Sequence, residues 1–306
     1  MKIFRGFEEV TGIRNPVVTT GSFDGVHIGH KTILNRLKML ALKHEGESVL
    51  ITFDPHPRKV LYPGTAGKDL RLINSQEEKL RLLEKAGLDN LIIIRFTLDF
   101  SKITSEQFVR DYLHDKLHAK VVVAGFNHHF GFNQEGDYRH LWGWRERYNF
   151  EAEEIPEQEV QNETVSSTKI RKAISEGYIQ RANAYLDHYY LITGKPAKES
   201  ADLPDGFFRV PVTEECKLLP APGIYAVSLV AGHPDNIALK GMALITGEIR
   251  GVPEVMVQIF ENQDIFPGIN TDILFHKKIH GALSLSDENT TSKLAMARDE
   301  VIDLIF

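Results

Sequence analysis

A single cysteine, Cys216, occurs in the 306 residues. One thiol excludes an intrachain disulfide and any multi-cysteine zinc or iron–sulfur cage, and it suits a reducing compartment. Roughly 18 uninterrupted apolar residues are the least a bilayer-crossing helix needs; no such run occurs, so no membrane contact is expected. The opening MKIFRGFEEVTG has no apolar core of signal-peptide length, and the cytoplasm is the expected location. Basic charge is also scarce, with 36 Lys and Arg against 42 Asp and Glu and a net charge of −6. Phosphate backbones recruit basic surfaces, so nucleic-acid binding is not expected as a main task, while a local pocket for one nucleotide stays compatible. Internal repeats and low-complexity tracts are missing, and nothing in the sequence speaks to oligomeric state. What is present, 42% hydrophobic and 25% charged residues, is ordinary for a folded chain, and the length suits two domains.

The first half alternates β-branched runs with amphipathic segments. Val17–Thr20 predicts a strand, followed by a helix with Ile33, Leu34, Leu37, Leu40 and Ala41 on one face. Val49–Phe53, Leu91–Phe96 and Val121–Ala124 predict further strands, the apolar runs suiting burial on both faces. Ser75 with Glu78 and Thr104 with Gln107 have capping-box spacing, opening helices that end at Gly87 and near Leu117. This order predicts a parallel sheet, whose ligands sit beyond the carboxyl ends of the strands. After about Leu186 the texture changes to short runs separated by turns, Gly223–Val230, Ala238–Thr246 and Val255–Phe260 among them. With a helix over Thr291–Ile305, carrying Leu294, Ala295, Ala297, Val301, Ile302 and Ile305, they predict an antiparallel barrel and one terminal helix. The expected domains are 1–186 and 187–306.

Four segments carry chemistry. Gly21-Ser22-Phe23-Asp24-Gly25-Val26-His27-Ile28-Gly29-His30 follows a predicted strand and opens a predicted helix. Glycines there let backbone approach a phosphate, and the helix start offers unpaired N–H groups. His27 and His30, three apart, share a face and can stabilise charge on departing pyrophosphate. The plain alternative is a tight turn with two surface histidines; a zinc site lacks a third and fourth ligand at familiar spacing. Val165-Ser166-Ser167-Thr168-Lys169-Ile170-Arg171 places Ser166 or Ser167 as a helix cap and two bases beside three hydroxyls, a clamp for a triphosphate or simply a well-capped helix. Thr52-Phe53-Asp54-Pro55-His56-Pro57 ends a strand; its prolines predict an extended path that brings Asp54 and His56 to a ligand or merely shapes a turn. Gly125-Phe126-Asn127-His128-His129-Phe130-Gly131 suits either a loop wrapping a planar ring or a structural loop.

Together these segments resemble the bacterial bifunctional riboflavin kinase/FAD synthetase family, in order and spacing over nearly the first 190 residues, and the HxGH element is similar to that of Rossmann-like nucleotidyltransferases. The resemblance implies transfer of AMP from ATP to the phosphate of FMN, with Mg²⁺ and with small molecules as the only partners. It implies His27 and His30 at the ATP phosphates; Ser167, Thr168 and Arg171 holding the triphosphate, Arg171 taking part in catalysis; and Gly21, Phe23, Asp24 and Gly29 lining the nucleotide pocket. Asp54, His56 and Asn127 would contact the flavin, and no protein ligand to the metal is assigned. The family usually carries aspartate and often phenylalanine where this chain has Asn127 and His128.

The back half resembles the family's riboflavin-kinase barrel with its phosphate site eroded. The family's Gly-Phe-Pro-Thr-Ala-Asn run corresponds to Gly206-Phe207-Phe208-Arg209-Val210-Pro211, without the threonine and asparagine that hold metal and phosphate. The glycine-rich approach is thinned to Gly194-Lys195-Pro196-Ala197 and an acidic stretch. Pro222–Val227 is similar to a family barrel strand. Glu254, in Pro253-Glu254-Val255-Met256-Val257, falls where the family keeps its catalytic base. The leading expectation is thus an FAD synthetase with an attached kinase-like barrel that is weak or inactive. The alternatives are a working bifunctional enzyme, a non-catalytic flavin or nucleotide sensor, and a transferase with another phosphate acceptor.

Overall fold

The computed structural model describes residues 1–197, 203–231, 238–247, 254–260, 268–283 and 289–305. The acidic stretch at 198–202 and Pro253 therefore lie outside the described residues, as does the side chain of Ile305. Two compact units form, one from Met1–Leu70 with Lys79–Val165, the other from Arg71–Glu78 with the chain from Ser166 onward. No helix among the described residues is long and apolar enough to cross a membrane.

In the first unit β1 (Lys2–Phe4), β2 (Val17–Thr20), α1 (Ile28–Lys43), β3 (Ser48–Asp54), α2 (Pro57–Leu61), the part from Lys79 onward of α3 (Gln76–Lys85), β4 (Asn90–Arg95), α4 (Ser105–Gln107), β5 (Val121–Gly125), α5 (Tyr138–Trp144) and β6 (Glu151–Ile155) follow in order. A small hairpin, β7 (Glu159–Val160) with β8 (Glu163–Thr164), closes the unit. The sheet runs β1-β4-β3-β2-β5-β6, and all its pairs are parallel. Successive strand residues face opposite sides. Val18, Ile51, Ile92 and Val122 accordingly fill one core, and Val17, Leu50, Leu91 and Val121 fill the other. The chain adds strands in one direction from β2 to β4 and then crosses back to β5, so the order switches at β2, the position where such sheets bind ligands.

Both capping boxes form. Ser75 N donates to Glu78 Oε2 at 2.8 Å while Glu78 N donates to Ser75 Oγ at 3.2 Å; Thr104 and Gln107 are reciprocally bonded. The second helix departs from expectation, widening to a π-helix over Phe108–His114 and stopping short of Leu117. A π-turn aligns residues five apart, which buries Phe108 and Leu113 together. The Asp-Pro-His-Pro segment also corrects the expected extended path: His56 caps α2, and Pro57 starts it. Proline at a first helical position gives up only an N–H that would have no helical partner.

The second unit contains α6 (Ser167–Ser175), α7 (Ile179–Leu186), β9 (Tyr190–Gly194), β10 (Phe207–Arg209), β11 (Gly223–Ala231), β12 (Ala238–Ile245), β13 (Val255–Ile259), β14 (Thr271–His280) and α8 (Thr290–Ile305). Its antiparallel sheet runs β10-β13-β12-β11-β14-β9 and curls as a half-barrel. The two outer edges approach where Ala197 N donates to Arg209 O at 2.8 Å. Gly194 permits this, because a Cβ there would lie 2.5 Å from Val210 Cγ1. Asn183 ties α7 to the sheet, donating from Nδ2 to Phe275 O at 2.8 Å and accepting from Tyr190 N at 2.7 Å. Helix α8 packs Leu294, Ala297 and Val301 against Ile224, Ala226, Met242, Leu244 and Met256. Ala295, expected on that face, is exposed, because the inward stripe follows the i, i+3, i+7 spacing and leaves it outside.

Candidate active site

A cavity of about 1010 Å³ opens in the first unit at the carboxyl ends of its strands, reached by Thr20, Phe53, Gly125 and Ile155. Its floor begins where β2 gives way to the glycine-rich loop. Gly21 N donates to Ile51 O at 3.0 Å, continuing the β2–β3 pairing by one residue. The backbone then turns through left-handed geometry at Phe23 (φ 49°), Gly25 (95°) and Val26 (41°). Such a φ is strained for a β-branched residue, and strain of this kind persists only where the surroundings hold it.

The loop delivers three rings in a stack. Phe23 lies 4.3 Å from His30, and His27 lies 3.6 Å from His30 on its other face, with interplanar angles of 20° and 18°. His27 caps α1, its Nδ1 accepting from His30 N at 3.4 Å. An accepting Nδ1 places the proton of the neutral ring on Nε2. Gly21 and Gly29 keep the stack compact: a Cβ would come within 3.0 Å of Phe23 at the former and 3.2 Å of His27 at the latter. Burial, followed by the charges of His27 and Lys79, holds His30 well below the ordinary imidazole range, so its ring is neutral at neutral pH. Its Nδ1 has no hydrogen-bond partner among the described residues. Lys79 is buried beneath the loop, with Nζ 3.4 Å from Ser22 O and 3.3 Å from Thr52 Oγ1.

The remaining wall is aromatic. Phe53, Phe96 and Phe100 meet with centroids 5.5 to 6.0 Å apart, and Phe108 adjoins both Phe100 and Phe130. His128 stacks on Phe130 at 5.8 Å and bonds through Nε2 to Thr20 Oγ1 at 2.8 Å. Burial and the neighbouring His129 lower its pKa to about 4. His56 also lines the cavity, its Nδ1 accepting from Arg58 N at 3.2 Å. Asn127 Nδ2 donates to Glu157 Oε1 at 3.3 Å, and both residues line the cavity. No three His, Cys, Asp or Glu residues gather as a metal cage among the described residues. The Glu157 carboxylate and Asn127 carboxamide nevertheless fit Mg²⁺, which takes only one or two protein oxygens when substrate phosphates supply others.

Gly21, Phe23, His27, Gly29, His30, His56 and Asn127 are thus brought to one cavity. Asp24 is buried in the loop and Asp54 is exposed, and neither lines it. Ser167, Thr168 and Arg171 lie in the second unit, on α6, where Ser166 is the cap, accepting from Lys169 N at 3.4 Å. Glu254 also lies there, paired with Arg209 at 3.3 Å. Sequence reasoning missed Glu157 and Lys79. A glutamate after Pro156 and a lysine between Glu78 and Leu80 carry no local signal that separates them from solvated residues.

A family model described as FAD synthetase matches residues 11–169. The chain is 31% identical over 273 residues to a bifunctional riboflavin kinase/FMN adenylyltransferase of Listeria monocytogenes, covering 87% of this chain and 81% of that one. It is 36% identical over 182 residues to a second Listeria protein, named FAD synthetase, covering 59% and 72%. The bifunctional enzyme of Escherichia coli K12 is 28% identical over 307 residues, 98% of this chain and 96% of that one. A solved structure described as a macrolide-efflux protein from Streptococcus pneumoniae overlays with a TM-score of 0.84 at 24% identity, covering 98% and 97%, a likeness of fold alone.

Proposed function

Because the chain belongs to the bifunctional riboflavin kinase/FMN adenylyltransferase family and carries its FAD synthetase domain, we propose that this nucleotidyltransferase joins the adenylyl group of ATP to FMN, giving FAD and pyrophosphate. The observation that carries the reading is the Phe23–His30–His27 stack on a strained loop at the start of α1, lining a cavity at the sheet's switch point.

A phosphate oxygen of FMN attacks the α-phosphorus of ATP, and the bond to the bridging oxygen breaks with its electron pair leaving on pyrophosphate. His27, with its proton on Nε2, and neutral His30 each donate one hydrogen bond to the charge that develops on the leaving group. The loop N–H groups and the positive end of α1 add to this. Catalysis is otherwise a matter of positioning. The aromatic wall with His56 and Asn127 takes the flavin ring. Cavities of about 300–1000 Å³ serve single small ligands, so one at the top of that range suits two substrates side by side. Glu157 and Asn127 would hold Mg²⁺, which neutralises phosphate charge when bound. We assign Ser167, Thr168 and Arg171 to the triphosphate, supported by the capped start of α6 and by the family match running through Lys169. Asp24 shapes the loop, and Asp54 is assigned no ligand.

We place the transfer machinery in residues 1–186 and a kinase-like barrel in 187–306, the latter without riboflavin kinase activity. Support comes from the Arg209–Glu254 pair at 3.3 Å. The contact commits the Glu254 carboxylate to a guanidinium where a kinase would need it free to face a substrate hydroxyl. The test is to incubate purified protein with Mg²⁺-ATP and either FMN or riboflavin, then separate the flavins. FAD from FMN with riboflavin unchanged is expected. Product from riboflavin would restore kinase activity to the barrel, and no FAD from FMN would overturn the transferase reading.

A further inference from the structure

The lysine beneath the loop has no part in the chemistry above. Lysine is seldom buried, and Lys79 is only 8% exposed. It projects from the fourth position of α3, and Nζ reaches Ser22 O at 3.4 Å and Thr52 Oγ1 at 3.3 Å. Thr52 Oγ1 in turn donates to Ser22 O at 3.3 Å. Hydroxyl and ammonium therefore converge on the one carbonyl that precedes Phe23, where the backbone enters left-handed geometry. Phe23 is the outer ring of the stack on His30. A buried ammonium thus sits behind the loop whose other side faces the cavity.

We propose that Lys79 is a positioning residue for adenylyl transfer: it pins the Ser22–Phe23 loop against His30 and gives the cavity floor the positive potential toward which the ATP phosphates settle. This inference rests on the transferase reading for its purpose, though not for its geometry. Charge fixed in a low-dielectric wall acts on a ligand more strongly than the same charge in water. The charged groups that bear on His30 are His27 on the same turn and Lys79 from α3, and Asp24 lies buried in the same loop. Of these, His27 and Lys79 oppose a proton on His30, as burial does. Polyphosphate binding would relieve that opposition, and removing the lysine would relieve it without ligand.

The test uses the full chain with Lys79→Met, which keeps the length of the side chain and removes its charge, and Lys79→Arg, which keeps the charge. The ligand-free imidazole of His30 is titrated by NMR, ATP binding is measured by calorimetry, and FMN adenylylation is assayed for each substrate. In Lys79→Met, His30 takes its proton at higher pH, and the Kd for ATP rises about tenfold, the scale of one buried charge-assisted contact. The KM for FMN stays within about twofold, because the effect is on the phosphate side. Lys79→Arg recovers most of both changes. An unmoved His30 titration, or equal losses for ATP and FMN, would mark a merely structural lysine and overturn the proposal. Should Lys79→Met fail to fold, Thr52→Val removes the hydroxyl between Nζ and Ser22 O without touching charge. Weaker ATP binding by that variant supports the proposal, and unchanged ATP binding overturns it. Absence of FAD synthesis in the unaltered protein would sink the transferase reading alone, since the titration of His30 still reports on Lys79.

Discussion

Lys217 and Glu78 form an ion pair that is 1% exposed on either side, and its disruption should be among the most damaging single changes in the second unit. All three protons of the ammonium are used: Nζ donates to Glu78 Oε2 at 2.6 Å, Ile73 O at 2.6 Å and Leu191 O at 2.7 Å. Nζ also lies 4.5 Å from the Tyr190 ring centroid. Glu78 is equally committed, accepting from Thr193 N and Ser75 N at 2.8 Å each. One contact set therefore joins the 71–78 segment, β9 and the loop before β11. Lys217→Met strands a buried carboxylate and leaves two carbonyls short of a donor. Breaking a buried pair in this way costs about 3–5 kcal/mol, more than the pair itself contributes over a neutral replacement. Pairing the change with Glu78→Gln removes the stranded charge and should recover at least about 1.5 kcal/mol of the summed single losses. The assay can separate the two units, because both tryptophans, Trp142 and Trp144, lie in the first. Urea unfolding followed by amide exchange at Leu191–Thr193 reports the second unit, while tryptophan fluorescence reports the first. A loss below about 1 kcal/mol for Lys217→Met, or strict additivity in the double variant, would refute the account of a fully committed charge pair.

His30→Ala should lower kcat for FAD formation about 10²-fold or more, with circular dichroism unchanged, and full activity in the variant would remove His30 from the site. His128 gives a pH signature. Its folded pKa of about 4 lies below the unfolded 6.5, so as pH falls below 6.5 the unfolded chain gains a proton that the fold refuses, and stability declines until about pH 4. His128→Phe should flatten that part of the curve in urea midpoints taken across the window; an unchanged slope would contradict the burial of a neutral ring. Glu254→Gln should leave riboflavin phosphorylation at background, as in the unaltered chain, and any loss of real turnover would show that the carboxylate works as a base despite Arg209.

How much of this was legible in the sequence depends on how locally each feature is encoded. Strands β2 to β5 were readable because burial on both faces demands unbroken apolar runs such as Val121–Ala124. The edges β1 and β6 were not: an edge strand has one free side, and β6 carries Glu151, Glu153 and Glu154 there. Strand β14 hid for a related reason, its inward Ile273 and Phe275 alternating with Asp272 and His276, which from sequence alone resembles a charged turn region. The glycine-rich loop was readable because its motif lies within ten consecutive residues, Gly21 to His30. The aromatic wall was not, since Phe53, Phe96, Phe100, Phe108 and Phe130 come from separate segments and meet only once the sheet has folded. Lys79 marks the limit of such reading. Its own helix, with acids before it and Leu80 after it, gives every local sign of a solvated lysine, and only the folding of α3 against the end of β3 and the glycine-rich loop buries it. A buried charge of this kind is set by which elements meet, so sequence patterns locate the groups that touch ligand more readily than the groups that hold them in place.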